Sequence, residues 1–184
     1  MTLELWATAQ AARLIAPLGD RWTHVQVVAD KARGLAAALP AEDADLLVAA
    51  ALVHDVGYAP SLNRLGFHAV DGARFLRAQG HERLARLVAH HSGARFEAEE
   101  RDLVEALAAF PVEDGLVMDA LTFADMTTGP TGQPMTLEER IEEVQRRYPP
   151  DDPVHRAIVR ARSELQAAID RTRQRLDGEP AQPI

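Results

Sequence analysis

The fold of this chain is decided by residues 46–57, which read LLVAAALVHDVG. The first eight of these residues are apolar and would cover every face of one helix, so we expect that helix to be buried all round. The pair His54-Asp55 follows directly, and Gly57 and Pro60 end the helix. An ionised carboxylate in such a setting costs on the order of several kcal/mol unless a cation or hydrogen bonds compensate it. The alternative is that the His-Asp pair only caps the helix C-terminus.

The rest of the composition predicts an all-α protein. The chain has 184 residues, of which 47% are hydrophobic and 26% charged, and it contains 33 Ala and 19 Arg but only one lysine. Ala, Leu, Arg and Glu favour helices, and no long stretch alternates as a strand would. We expect about eight or nine helices, at roughly 3–16, 21–39, 42–56, 68–79, 82–91, 101–110, 117–126, 136–148 and 153–176.

The length fits one domain. We expect a single-domain helical bundle over residues 1–176, with a core at about 20–130 and C-terminal helices at about 136–176. Residues 177–184 would form a flexible tail. The C-terminal helices would either support the core or form a homodimer contact.

Charge and cysteine content exclude several classes of protein. There is no cysteine, so disulfides, zinc fingers and thiolate catalysis are excluded. A net charge of −8 gives no general attraction to nucleic acid or anionic lipid. No apolar stretch is long enough for a membrane span and no signal peptide is visible, so we expect a cytoplasmic protein with no nucleic-acid or membrane partner.

Two further residues could join the His-Asp pair around a cation. Asp125 interrupts an apolar helix with no basic residue within one turn, and His24 lies among apolar residues one helix before His54. Each has a simpler explanation, a solvated aspartate or a histidine satisfied in the core. Taken together, His24, His54, Asp55 and Asp125 offer four nitrogen and oxygen ligands. Such a set suits a divalent ion such as Mn, Fe, Co, Ni, Zn or Mg.

The ordered pattern resembles the HD-domain superfamily of metal-dependent phosphohydrolases. The resemblance covers roughly residues 20–130 and includes the framing phrases WTHV (22–25), AALVHDVG (50–57) and LTFAD (121–125). It implies an all-α fold and one or two divalent metal ions. In the two-metal case Asp55 would bridge the ions, with His24, His54 and Asp125 on one. His68 and His90 would bind the other, with His91 as a further ligand candidate. The alternative is that these last three are solvated histidines at helix ends.

One departure from the family's sequence pattern narrows the range of reactions that the resemblance implies. Some two-metal cyclic-dinucleotide phosphodiesterases of the superfamily carry lysine after His-Asp-Ile-Gly, and here that position is Tyr58. Their Gly-Tyr-Pro signature is also absent, because an extra residue separates Tyr58 from Pro60. We therefore do not expect hydrolysis of cyclic-di-GMP.

The resemblance implies hydrolysis of a small, nucleotide-like phosphate ester by metal-activated water. Asp55 would be central to catalysis. His91 is a candidate acid or base if His90 is the ligand, and Asp71 is a weaker candidate. The residues that we expect to meet the phosphate are Lys31, Arg64, Arg95 and Thr128.

Two other functions use the same pattern of residues. A minority of HD-fold proteins are mixed-valent di-iron oxygenases, and others could be non-catalytic regulatory modules. The sequence contains no feature that excludes either of them.

Overall fold

Helices are the regular secondary structure of the described part of the chain. The computed structural model describes residues 2–178, which form ten α-helices and three short 3-10 turns. The α-helices are α1 (Leu3–Leu14), α2 (Asp20–Ala36), α3 (Ala41–Val53), α4 (His68–Ala78), α5 (Glu82–His90), α6 (Ala94–Glu100), α7 (Val104–Ala108), α8 (Leu116–Met126), α9 (Leu137–Arg147) and α10 (Pro153–Leu176). The 3-10 turns span Ala16–Leu18, Val56–Tyr58 and His91–Gly93. These residues contain no β-strand, only an isolated bridge between Thr128 and Pro134, and the all-α prediction is confirmed.

Helix α3 lies at the centre of the larger hydrophobic core. All eight residues from Leu46 to Val53 are buried, as the uniformly apolar run predicts. Helices α1, α2, α5 and α8 pack around α3. Because α3 is covered on every side, the end of this helix places His54 and Asp55 inside the protein rather than at its surface.

A close backbone approach brings α4 against the turn that follows α3. A Cβ atom on Gly57 would lie 1.9 Å from the carbonyl oxygen of His68 and 2.7 Å from the amide nitrogen of Gly72. Only glycine fits at such a distance. The first turn of α4, which carries His68, therefore lies directly beside the His-Asp pair.

A second hydrophobic cluster joins the C-terminal helices to the rest of the structure. It is formed by apolar residues of α9 and α10 together with Phe96 and Met126. Arg171 on α10 donates two hydrogen bonds to Asp119 on α8, at 2.8 and 2.6 Å. Both ends of the long helix α10 are thereby held near α6 and α8.

The predicted starts of the last two helices are found. Thr136 and Glu139 form a reciprocal capping box at the start of α9. Asp152 accepts a hydrogen bond from the amide of Val154, and Pro153 occupies the first position of α10.

The helix predicted over 101–110 is found only between Val104 and Ala108, and the helix before it was not predicted. Helix α6 already begins at Ala94, and a shorter α7 begins at Val104. Gly93 has a φ of 77° and leads directly into α6 instead of ending a helix before a loop. Asp102, with a φ of 56°, then breaks the helical path between α6 and α7.

Two sequence predictions concern the C-terminal tail and the presence of a membrane-spanning helix. The predicted tail lies outside the described residues from position 179 onward. Among residues 2–178, no helix combines the length and the apolar character needed to cross a bilayer.

Candidate metal centre

Five helical segments bring histidine and aspartate side chains together at the end of α3. His24 comes from α2, the pair His54-Asp55 follows α3, His68 begins α4, and Asp125 lies near the end of α8. His91 joins them from the 3-10 turn after α5. All except His68 are at least nine-tenths buried, and the His68 side chain is 14% exposed.

His24 faces a hydrogen-bond acceptor at each ring nitrogen. Its Nδ1 lies 3.0 Å from the carbonyl oxygen of Gly129, and its Nε2 lies 3.1 Å from Oδ1 of Asp125. Burial disfavours the charged ring, but the hydrogen bond and negative charge of Asp125 outweigh it and raise the pKa of His24. Because both neighbours are acceptors, the geometry suits either a ring with a proton on each nitrogen or a cation in place of the proton between Nε2 and the carboxylate.

His54 presents an unpartnered nitrogen to the same space. Its Nδ1 lies 2.8 Å from the carbonyl oxygen of Ala51, which places the ring proton there and leaves a lone pair on Nε2. This Nε2 is buried without a hydrogen-bond partner among the described residues, 3.7 Å from Oδ1 of Asp55 and 3.9 Å from Oδ1 of Asp125. Burial lowers the pKa of His54, so its imidazole is neutral and available as a ligand.

His68 and His91 form the other side of the cluster. Their Nε2 atoms are 3.3 Å apart, and Nε2 of His68 lies 3.7 Å from Oδ1 of Asp55. The Nδ1 of His91 lies 2.6 Å from the carbonyl oxygen of Val88, which directs its Nε2 lone pair into the cluster. Burial lowers the pKa of His68 to about 3, so this ring is neutral as well.

Asp55 belongs to both groups of ligands. One triad is His24, His54 and Asp55, the other is Asp55, His68 and His91, and the donor atoms within each lie within 4.8 Å of one another. Burial opposes ionisation of Asp55, but Arg21 and the nearby histidines outweigh it and hold the pKa of this carboxyl well below its usual range. Arg21 binds Oδ2 of Asp55 at 2.5 Å and leaves Oδ1 facing the histidines.

The cluster fits a divalent metal on three grounds. His54 has a buried, unpartnered nitrogen, and His24 faces two acceptors. Two triads of imidazoles and carboxylates share Asp55, and imidazole with carboxylate is a donor set for borderline divalent ions. The buried carboxylate of Asp125 also lies within reach of His24 and His54.

Most of the ligands predicted from the sequence meet here, but His90 does not. Its Nε2 lies 2.7 Å from the carbonyl oxygen of Phe110, and its ring lines a different cavity. Consecutive residues at a helix end point in different directions, and the chain turns sharply at Ser92, which has a φ of 49°. His91, rather than His90, therefore faces His68.

The predicted catalytic role of Asp71 has no counterpart in the cluster. Asp71 is buried and accepts hydrogen bonds from the backbone amides of Arg64 and Leu65, at 3.1 and 3.0 Å. These contacts hold the loop that leads into α4. The side chain therefore supports the position of His68 from outside the cluster.

A cavity of about 110 Å³ opens onto the cluster, and the four predicted phosphate-binding residues do not line it. Lys31 donates to the carbonyl and hydroxyl oxygens of Thr127, and Arg95 pairs with Glu164. The buried hydroxyl of Thr128 donates to the carbonyl of Ala124. Arg64 contributes its backbone amide to a hydrogen bond with the carboxylate of Asp71.

Different cations line the cavity, and the sequence analysis missed them. They are Arg21, Arg140 and Arg147, accompanied by the carboxyl of Glu97 and the rings of Tyr58 and Tyr148. Arg21 precedes His24 by three residues, so helical spacing could have placed it on the same face. Residues of α9 carry no local signal, because they reach the cavity only through the packing of α9 against α10.

Tyr58 orders the rim of the cluster. Its ring stacks on His68, with centroids 4.1 Å apart and planes inclined by 15°. The guanidinium carbon of Arg21 lies 3.5 Å from the centre of the same ring. Tyr58, which stands where the cyclic-dinucleotide phosphodiesterases carry lysine, thus contacts both the candidate ligand His68 and Arg21, whose guanidinium binds Asp55.

The comparison with known families agrees with this geometry. A family model described as "HD domain" matches residues 21–143, which contain both triads and Asp125. No curated protein and no solved structure gives a significant match to the chain. Since the matched region spans well over half of the sequence and carries the clustered histidines and aspartates, this chain belongs to the HD domain family.

Proposed function

We propose that this protein is a metal-dependent phosphohydrolase that cleaves a small phosphate ester. The observation that carries the proposal is the pair of triads sharing Asp55 beside a cavity lined by three arginines. A divalent ion held by the triads would lower the pKa of a bound water toward neutrality and neutralise charge on phosphoryl oxygens. The arginines would attract and orient the phosphate.

The surrounding residues prepare the ligands for this task. Arg21 keeps Asp55 ionised and orients its free oxygen toward the histidines. The carbonyl oxygens of Ala51 and Val88 accept hydrogen bonds from the Nδ1–H groups of His54 and His91, which leaves each Nε2 free to bind a metal. This placement favours His91 as a ligand over a role as proton donor.

Glu97 is the candidate to hold the proton that a leaving oxygen requires. It lines the cavity, and burial raises the pKa of its carboxyl although Arg101 binds it at 2.7 Å. A carboxyl with a raised pKa retains a proton closer to neutral pH. The nucleotide-like character of the substrate remains part of the proposal, supported by the family resemblance alone.

The neighbouring residues His90 and His91 provide a matched test of the metal centre. We expect the His91→Ala variant to lose bound metal and the hydrolysis of p-nitrophenyl phosphate, whereas the His90→Ala variant keeps both. Metal content would be measured by mass spectrometry after loading with Mn²⁺, Co²⁺, Ni²⁺ or Mg²⁺. Equal metal content in the two variants would contradict the assignment of His91.

The same preparations separate the alternative functions. Iron in the purified protein, with the electron paramagnetic resonance signal of a half-reduced pair, would replace the hydrolase by a di-iron oxygenase. Failure of the unmodified protein to bind any divalent metal would instead indicate a non-catalytic module.

A further inference from the structure

Arg140 lines the cavity with a side chain whose guanidinium group is only partly paired within the described part of the chain. Arg140 lies on the first half of α9, and its side chain is only 11% exposed. One terminal nitrogen binds Glu143, but its Nε is buried without a hydrogen-bond partner among residues 2–178. A buried charged donor without a partner is costly, so an acceptor is expected at this position.

The position of Arg140 relates it to the metal cluster. It lines the same cavity as His24, Asp55 and His91. An anion bound by Arg140 would therefore lie next to the ligand triads.

Arg140 and Arg147 share one carboxylate between them. Both bind Oε2 of Glu143, Arg147 at 3.3 Å, so the pair retains an excess of one positive charge. The other charges that line the cavity are Arg21, Asp55, Glu97 and Asp125. With Glu143 included, three arginines face four carboxyl groups, one of which, Glu97, is the proposed holder of a proton. The metal-free site is then neutral, and each divalent ion would add two positive charges. The loaded cavity would thus favour an anion with two negative charges over one with a single charge.

The size of the cavity limits the rest of the substrate. A volume of about 110 Å³ is smaller than the roughly 300–1,000 Å³ of pockets that enclose drug-sized ligands. Apolar side chains of Val144, Val154 and Ile158 form part of the lining. The space beside the cluster thus accommodates a phosphate group and the adjoining atoms of its ester, and the rest of a substrate would lie at the open mouth of the cavity.

We propose that Arg140 is the phosphate-binding residue that makes this site selective for small phosphomonoesters over diesters. The inference rests on the proposed phosphohydrolase function. It attributes the preference for one class of substrate to Arg140, a residue of α9 that is not part of the His-Asp pattern. A monoester carries two negative charges above its second ionisation, whereas a diester carries one, and a guanidinium fork can bind two phosphate oxygens at once.

The test compares two anions by titration calorimetry on metal-loaded protein at pH 8. Inorganic phosphate represents the dianion, and dimethyl phosphate represents the diester. We expect the unmodified protein to prefer phosphate, and the Arg140→Gln variant to bind phosphate about 10- to 100-fold more weakly with a reduced preference between the anions. Arg140→Lys, which keeps the charge, should recover part of the loss.

Controls separate this role from a structural one. Arg162→Gln removes an exposed arginine of α10 that pairs with Glu138, and it should leave both affinities unchanged. Metal content and thermal unfolding of each variant would be measured in parallel. A loss that affects both anions equally, with reduced metal content, would overturn the proposal in favour of a structural role.

Two further outcomes would distinguish a failure of this inference from a failure of the proposed phosphohydrolase function. Metal-dependent phosphate binding that is unchanged in Arg140→Gln would overturn the role of Arg140 and leave the phosphohydrolase intact. No binding of phosphate by the metal-loaded, unmodified protein would overturn both.

Discussion

Replacing Gly57 by alanine would insert a methyl group between the turn after α3 and the first turn of α4. The new Cβ would lie 1.9 Å from the carbonyl oxygen of His68, whereas even a strained contact requires about 3.0 Å. The two backbones must therefore separate by about 1.1 Å. Because the obstructing atom belongs to the backbone, no side-chain rotation can relieve the contact.

The displacement would affect both stability and the metal centre. Overpacking of this kind costs about 1–3 kcal/mol, and a backbone contact belongs at the upper end of that range. For a chain of this length we expect the melting temperature to fall by about 6–12 °C. His68 would move relative to Asp55, and metal–ligand distances tolerate only about 0.2 Å, so the triad of Asp55, His68 and His91 should lose its ion.

Gly34 provides the matched control for this substitution. It lies inside α2, and a Cβ there would meet no atom within 4 Å. Gly34→Ala should stabilise the helix by about 0.5–1 kcal/mol and leave metal binding unchanged. Thermal unfolding and metal content of the two variants would be compared. A Gly57→Ala protein with unchanged melting temperature and full metal content would refute the close approach of α4.

Three further predictions concern single side chains. Replacing Arg21 by methionine leaves Asp55 buried without its cation, so the metal-free protein should lose about 2–3 kcal/mol in urea unfolding, and added divalent metal should restore part of it; equal losses with and without metal would contradict this. Replacing Asp71 by alanine frees two loop amides and should cost about 1–3 kcal/mol in the same assay, while metal stoichiometry stays unchanged. Because burial lowers the pKa of His68 to about 3 while the unfolded chain takes up this proton near its ordinary value of 6.5, metal-free stability should fall as the pH falls below 6.5; calorimetric scans from pH 7 to 4 should show a shallower fall in the His68→Gln variant.

The ligands that could be predicted are those with a strong local signal. The apolar run over 46–53 requires burial on every side, and any buried carboxylate that follows it requires compensation. The same reasoning applies to Asp125 within its apolar helix. The structure places these residues within a few ångströms of one another. We could expect a shared site for these residues without knowing the conformation of the loops.

The choice between His90 and His91 depends on backbone geometry. Both residues have the same type and adjacent positions, so composition and spacing treat them alike. The left-handed conformations of Ser92 and Gly93 turn the chain after α5 and direct His91 inward. Such conformations have no reliable signal in a serine.

The arginines that line the cavity were not predicted from the sequence. In a chain with 19 arginines, charge alone does not distinguish the residues that line a cavity. Lys31 and Arg95 looked suitable from their distance along the chain, yet both bind neighbouring groups. Nothing in the sequence around Arg140 distinguishes it from the other arginines of the polar helix α9.

The amino-acid sequence by itself determined the helical class and the central buried helix, because both follow from apolar burial and helix propensity within short segments. The ordered histidines and aspartates added the resemblance to the HD family, which implied the metal ligands. The tertiary structure alone decided that His91 faces the cluster, that α4 packs against Gly57, and that α9 supplies arginines to the cavity. The first depends on the backbone conformation of Ser92 and Gly93, the second on the contact of α4 with the turn after α3, and the third on the packing of α9 against α10. Packing between distant segments is a property of the whole core, and no single segment of the sequence contains it.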